Sequence, residues 1–133
     1  MRRFVLDASA VMTFFDNRPG AEKVQDLFTL ASEGKRDLCM SVVNWGEVYY
    51  SIWRVHGQLA ARRVAAEISQ LPTEIVGADI ELTRVAASLR AEHQLPYADC
   101  FGAALALVWN ATLVTSDTDF RAVKDKIILS MLP

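Results

Sequence analysis

Residues 4–10 read Phe4-Val5-Leu6-Asp7-Ala8-Ser9-Ala10. Three apolar residues in a row, without polar alternation, are what a strand needs when both faces of a parallel sheet are covered. The run stops at an acid. In open parallel sheets, ligands bind beyond the carboxyl ends of the strands, so Asp7 stands where a functional carboxylate would be displayed. The same arrangement recurs far along the chain, where Leu113-Val114-Thr115 is followed by Ser116 and Asp117. Two carboxylates are thus expected to leave the same edge of one sheet.

The elements between these strands are legible from their periodicity. Val24, Leu27, Phe28 and Ala31 recur at helical spacing over Ala21–Glu33, with Pro19 and Gly20 before them and Gly34 after. Leu38–Val43 is the next apolar run, and Ser41 can cap a following helix whose Val48, Ile52 and Val55 share a face. Gly57 breaks that helix. Ala60, Val64, Ile68 and Leu71 mark a second one, which Pro72 halts at or before Leu71.

Glu74–Val76 reads as a short strand, and Leu82, Val85, Ala86 and Leu89 as an amphipathic helix ending near His93 or Gln94. Tyr97–Asn110 is apolar on nearly every side, the pattern of a helix in the middle of a fold. Thr112–Thr115 and Ile127–Leu129 complete the strands. Strands separated by helices, with no hairpin signal, predict one three-layer α/β/α domain over residues 1–133 with a mostly parallel central sheet of about five strands.

Composition narrows the function classes. Of 133 residues, 52% are apolar and 23% charged, which is ordinary for a folded domain and unlike a disordered tail. No apolar run reaches the roughly 18 residues needed to cross a bilayer, so no membrane association is expected. Arg2 and Arg3 precede an apolar stretch, but Asp7 interrupts it and no small-residue cleavage site follows; a first strand is expected here, not a signal peptide. Cys39 and Cys100 lack a second Cys or a His at metal-ligand spacing, so both are expected to be reduced and buried, which fits a cytoplasmic location.

The net charge of −2 argues against a general polyanion binder, unless acids gather around a divalent cation and so create a phosphate site. Lys35, Arg36, Arg54, Arg62, Arg63, Arg84 and Arg90 then offer backbone contacts, with scattered surface charge as the simpler reading.

Two further acids occupy unusual neighbourhoods. Glu47 falls in the first turns of its helix among Trp45, Gly46, Val48, Tyr49 and Tyr50; Asp99 opens the most apolar helix among Tyr97, Ala98, Cys100 and Phe101. Taken singly, each acid is explained as a cap or a partner of a helix dipole. Four at one end of a sheet repel one another and raise each other's pKa. A bound cation resolves that conflict. Carboxylates without His or Cys suit one or two ions of Mg2+ or Mn2+ rather than zinc, and those ions favour phosphate chemistry.

Phe4–Ala10, Asn44-Trp45-Gly46-Glu47-Val48, Leu95–Cys100 and Leu113–Phe120, taken in this order, resemble the PIN-domain family over almost the whole chain. The resemblance implies that Asp7, Glu47, Asp99 and Asp117 form the metal pocket of a single-strand-specific ribonuclease, similar to the VapC toxins of toxin-antitoxin pairs. It implies that Ser9 supports the first Asp and that the Thr115 hydroxyl lines the pocket. Asp119 falls at a position acidic in some members; it either reaches metal through water or caps the short helix near Phe120, and the cap is preferred. A cognate antitoxin and a homodimer are implied as partners.

Two other readings stay open. A phosphoacceptor receiver domain also places Asp residues at strand ends, but resembles its relatives through an acidic pair after the first strand, whereas Asp7 stands alone. A catalytically silent PIN-like scaffold is the other. Trp45, Tyr49, Trp53 and His56 recur on one face of their helix, either to bind a partner or to pack under the helical hairpin. His56 and His93 are expected at the surface or at helix ends, away from the acids.

Overall fold

In the computed structural model, which describes residues 2–133, five strands form one sheet in the order β3-β2-β1-β4-β5. They are β1 (Arg3–Leu6), β2 (Asp37–Ser41), β3 (Glu74–Val76), β4 (Thr112–Thr115) and β5 (Ile128–Met131). Every pairing is parallel, so the expected mostly parallel sheet is wholly parallel among the described residues. Phe4 and Leu6 face one side while Val5 faces the other, as the two-residue side-chain period of a strand requires.

Both faces are covered. On one side Phe4, Leu6, Leu38, Met40 and Val114 pack beneath α1 (Ala8–Phe15), α2 (Ala21–Ser32), α3 (Val42–His56) and α4 (Gln58–Ile68). On the other, Val5, Cys39 and Leu113 meet α5 (Ile80–Glu92), α6 (Tyr97–Trp109) and Phe120 and Val123 of a 3-10 turn at Thr118–Val123. This is the expected three-layer α/β/α arrangement. Helix α6 is enclosed by the sheet, by α5 and by α3, and its residues Cys100–Ala106 are all buried, which accounts for its lack of a polar face.

Several local expectations need correction. Val42 and Val43 continue the apolar run of β2 but belong to α3, because the Ser41 hydroxyl accepts the Val43 amide at 3.1 Å and starts the helix there. Val55 is 75% exposed; the buried line of α3 is Asn44, Val48 and Ile52, at one-turn spacing. The last strand lies one to two residues further on than its apolar run suggests. Helix α1 has no counterpart in the periodicity, because Ala8, Ala10, Val11, Met12, Phe14 and Phe15 leave almost no polar side to contrast with an apolar one.

Gly57 joins α3 to α4 at φ 94°, a left-handed backbone that a side chain disfavours, and the helical hairpin turns there. Cys39 and Cys100 are free and buried, as expected, and burial pushes the Cys39 thiol up to about 12. No helix among the described residues is long and apolar enough to cross a membrane.

Candidate active site

Each of the four singled-out acids sits where a helix begins. Asp7 follows β1 and caps α1; Asp117 follows β4 and caps the 3-10 turn; Glu47 lies in the second turn of α3 after β2, and Asp99 in the first turn of α6. Helix starts expose unpaired amides and carry partial positive charge, which favours negative groups there.

Asp7 is the most enclosed, at 3% exposure. Its Oδ1 accepts the Ala10 amide at 2.8 Å and the Ser9 hydroxyl at 2.7 Å, and its Oδ2 accepts the Thr115 hydroxyl at 2.5 Å. Those hydroxyls also accept: Ser9 Oγ from the Ser116 amide at 2.9 Å, Thr115 Oγ1 from the Asp117 amide at 2.9 Å. Each hydroxyl has a single proton. With both protons directed at Asp7, the 3.1 Å approach of Ser9 Oγ to Thr115 Oγ1 is a contact between acceptors. The network ties the end of β1 to the end of β4, so Asp7 is held in one orientation.

Asp99, Asp117 and Asp119 each bring a carboxylate oxygen within 4.8 Å of the other two. Asp119 was expected to cap the short helix near Phe120; that role belongs to Asp117, whose Oδ1 accepts the Asp119 amide at 2.9 Å. The turn it caps also swings the exposed Asp119 carboxylate round to the other two.

Electrostatics link these acids with Asp7 and Glu47. Burial, followed by the charges of Asp117, Glu47 and Asp7, pushes Asp99 up to about 7. Burial raises Asp7 to about 6 against three hydrogen bonds that oppose it, with Asp117 adding to the rise. Glu47 is raised by burial and by Asp117, and a hydrogen bond from Asn44 works the other way. Such shifts mark carboxylates that burial strips of water first and neighbouring carboxylates crowd second. An all-oxygen donor set of three converging carboxylates, backed by two more, fits a hard divalent cation such as Mg2+ or Mn2+.

Asn44 escaped sequence reasoning. It is fully buried, and its Nδ2 donates both to Glu47 Oε1 at 2.8 Å and to the Ala98 carbonyl at 3.1 Å. A signal was present: an amide on the line of Val48 and Ile52 needs partners once buried, and Glu47 is three residues on.

The remaining candidates lie elsewhere. His56 is exposed at the end of α3 and His93 follows α5, neither bonded to the acids. Lys35 and Arg36 precede β2, at the opposite edge of the sheet; Arg54, Arg62 and Arg63 stand on the α3–α4 hairpin, Arg84 and Arg90 on α5. Trp45 and Tyr49 stack at 5.4 Å and pack, partly buried, against the core, whereas Trp53 is 45% exposed. The aromatic stripe therefore divides into a packed half and an exposed half.

An all-parallel α/β sheet with carboxylates gathered at its carboxyl edge defines a class of candidate metal-site proteins rather than one activity. Within that class, residues 4–126 match the PIN domain, and the chain belongs to the PIN-domain family. No curated protein matches the sequence. Solved structures of similar fold include VapBC2 from Rickettsia felis bound to a promoter DNA fragment, with TM-score 0.78, 20% identity, and coverage of 98% of this chain and 99% of that one. DNA-bound VapBC from Salmonella typhimurium gives TM-score 0.76 and 20% identity over 98% of each chain. VapC20 from Mycobacterium tuberculosis, a toxin that cleaves the sarcin-ricin loop, gives TM-score 0.70 and 16% identity over 90% of this chain and 94% of that one.

Proposed function

We propose that residues 1–133 form one PIN domain that acts as a metal-dependent endoribonuclease, the toxin of a VapC-type toxin-antitoxin pair in the cytoplasm. The observation that carries this reading is the meeting of Asp99, Asp117 and Asp119 at the sheet edge, with Asp7 and Glu47 close enough to perturb Asp99. Asp99, Asp117 and Asp119 would hold one or two Mg2+ or Mn2+ ions, which would supply water activation and charge neutralisation for hydrolysis of a phosphodiester.

The chain's own residues do the rest. Asp99, Asp117 and Asp119 offer the converging oxygens. Asp7, fixed by Ser9, Ala10 and Thr115, gives the pocket a rigid floor. Glu47 closes it from α3. The starts of α1, α3 and α6 direct partial positive charge toward the place where an RNA phosphate would lie.

RNA as substrate is supported by the fold shared with a sarcin-ricin-loop-cleaving toxin, and an antitoxin partner by the VapBC complexes of similar fold. The exposed Tyr50, Trp53, Val55 and Leu59 of the α3–α4 hairpin offer apolar area for a protein partner, an antitoxin or a second copy in a homodimer. Membership of the PIN family sets the receiver reading aside.

The test is cleavage of single-stranded RNA with Mg2+ or Mn2+ by the wild type and by Asp7→Asn and Asp99→Asn purified identically. Metal-dependent cutting by the wild type, lost in both variants, is expected. Equal cutting by all three would expose a contaminant. A folded wild type that cuts nothing would favour the silent scaffold.

A further inference from the structure

Ser9 and Thr115 hold Asp7 from within its own edge of the sheet, whereas Asn44 links two helices that each carry an acid of the pocket. Its amide is fully buried between α3 and α6. Both Nδ2 protons are committed: one to Glu47 Oε1 at 2.8 Å, the other to the carbonyl of Ala98, the residue before Asp99, at 3.1 Å. Both partners are acceptors, so the amide cannot be flipped without losing both bonds.

Its Oδ1 is buried with no hydrogen-bond partner and faces Gly102, where an added Cβ would come within 3.1 Å of it. An unpaired buried acceptor costs stability. A Leu of similar size would avoid that cost, so packing alone does not account for an amide here. What the amide accomplishes is to tether a carboxylate of one helix to the backbone that carries a carboxylate of another.

We infer that Asn44 is a positioning residue that locks Glu47 to the first turn of α6, and so sets the separation of Glu47 from Asp99 across the metal pocket, with Gly102 leaving the space this lock requires. The inference rests on the metal-nuclease reading. Released from Asn44, Glu47 keeps its chemistry but samples several rotamers, and an ordering cost falls on cation uptake. Partners that orient metal-binding groups typically change metal affinity or activity by about 10- to 100-fold.

The experiment is calorimetric titration of Mn2+ into the full chain, as wild type, Asn44→Leu and Gly102→Ala, with circular dichroism to establish folding. Cleavage of single-stranded RNA is measured alongside as a function of Mn2+ and of RNA. Asn44→Leu is expected to weaken Mn2+ binding by about 10-fold or more and to raise the half-saturating Mn2+ concentration for cleavage, with KM for RNA unchanged at saturating Mn2+. Gly102→Ala retains the amide but presses on Oδ1, and should weaken Mn2+ binding in the same direction by a smaller factor; it decides the matter if Asn44→Leu does not fold. Wild-type affinity in the folded variants would overturn the inference and leave the nuclease reading standing. No Mn2+ uptake by the wild type would overturn both.

Discussion

At the scale of single residues, the acids differ in how far the fold opposes their charge. Asp7 and Asp99 have ordinary values of 3.8 and are raised to about 6 and about 7. As pH climbs past the ordinary value, an unfolded chain ionises while the folded one stays protonated. The folded state therefore binds more protons, and its stability falls until these groups ionise in turn. Stability owed to them is complete below about pH 4 and lost by about pH 7 in the metal-free protein. Asp99→Asn cannot ionise. Its melting temperature relative to wild type, both in EDTA, is expected to be more favourable at pH 8 than at pH 5; an equal difference at the two values would contradict the raised value of Asp99, which burial sets first and the neighbouring carboxylates second.

Residue types also decided what could be read beforehand. Asp7 and Asp117 follow apolar runs whose ends are sharp, so their places at the sheet edge were visible. Asp119 was not, because the direction of its side chain depends on a tight turn capped by Asp117. Asn44 required knowing that α6 passes within hydrogen-bond distance of α3.

At the scale of elements, the starts of helices matter more than their lengths. Ser41 ends β2 and begins α3 in one residue, and the Oγ of this buried serine satisfies the Val43 amide. Ser41→Ala leaves that amide unpaired and is expected to lower the unfolding free energy by about 1 kcal/mol, read from urea denaturation; an unchanged midpoint would show that the cap contributes nothing. Since α3 carries Asn44 and Glu47 in its first two turns, such fraying would reach the pocket before the hairpin. Amphipathic helices α2, α4 and α5 were legible because each has a polar side. The mostly apolar α1, at eight residues much shorter than the equally apolar α6, was not, and β5 was displaced because Ile127 and Ile128 belong to one apolar run that the strand enters only at its second residue.

At the scale of the molecule, the wholly parallel sheet explains why Asp7 and Asp117, 110 positions apart in sequence, come together. Parallel strands point their carboxyl ends the same way, so each following helix starts at one edge. That logic was available from the order of elements alone. What it could not supply was distance: whether the carboxylate oxygens come within 4.8 Å of one another or merely share an edge depends on the packing of α6 between the sheet, α5 and α3.

The most direct measurement of the central claim is anomalous diffraction from crystals of the protein soaked in Mn2+. A manganese peak is expected among Asp99, Asp117 and Asp119, within coordination distance of their carboxylate oxygens, with Asp7 and Glu47 facing it directly or through water, as is its loss in Asp117→Asn. A fully soaked crystal with that edge open to solvent and no peak between these carboxylates would contradict the account.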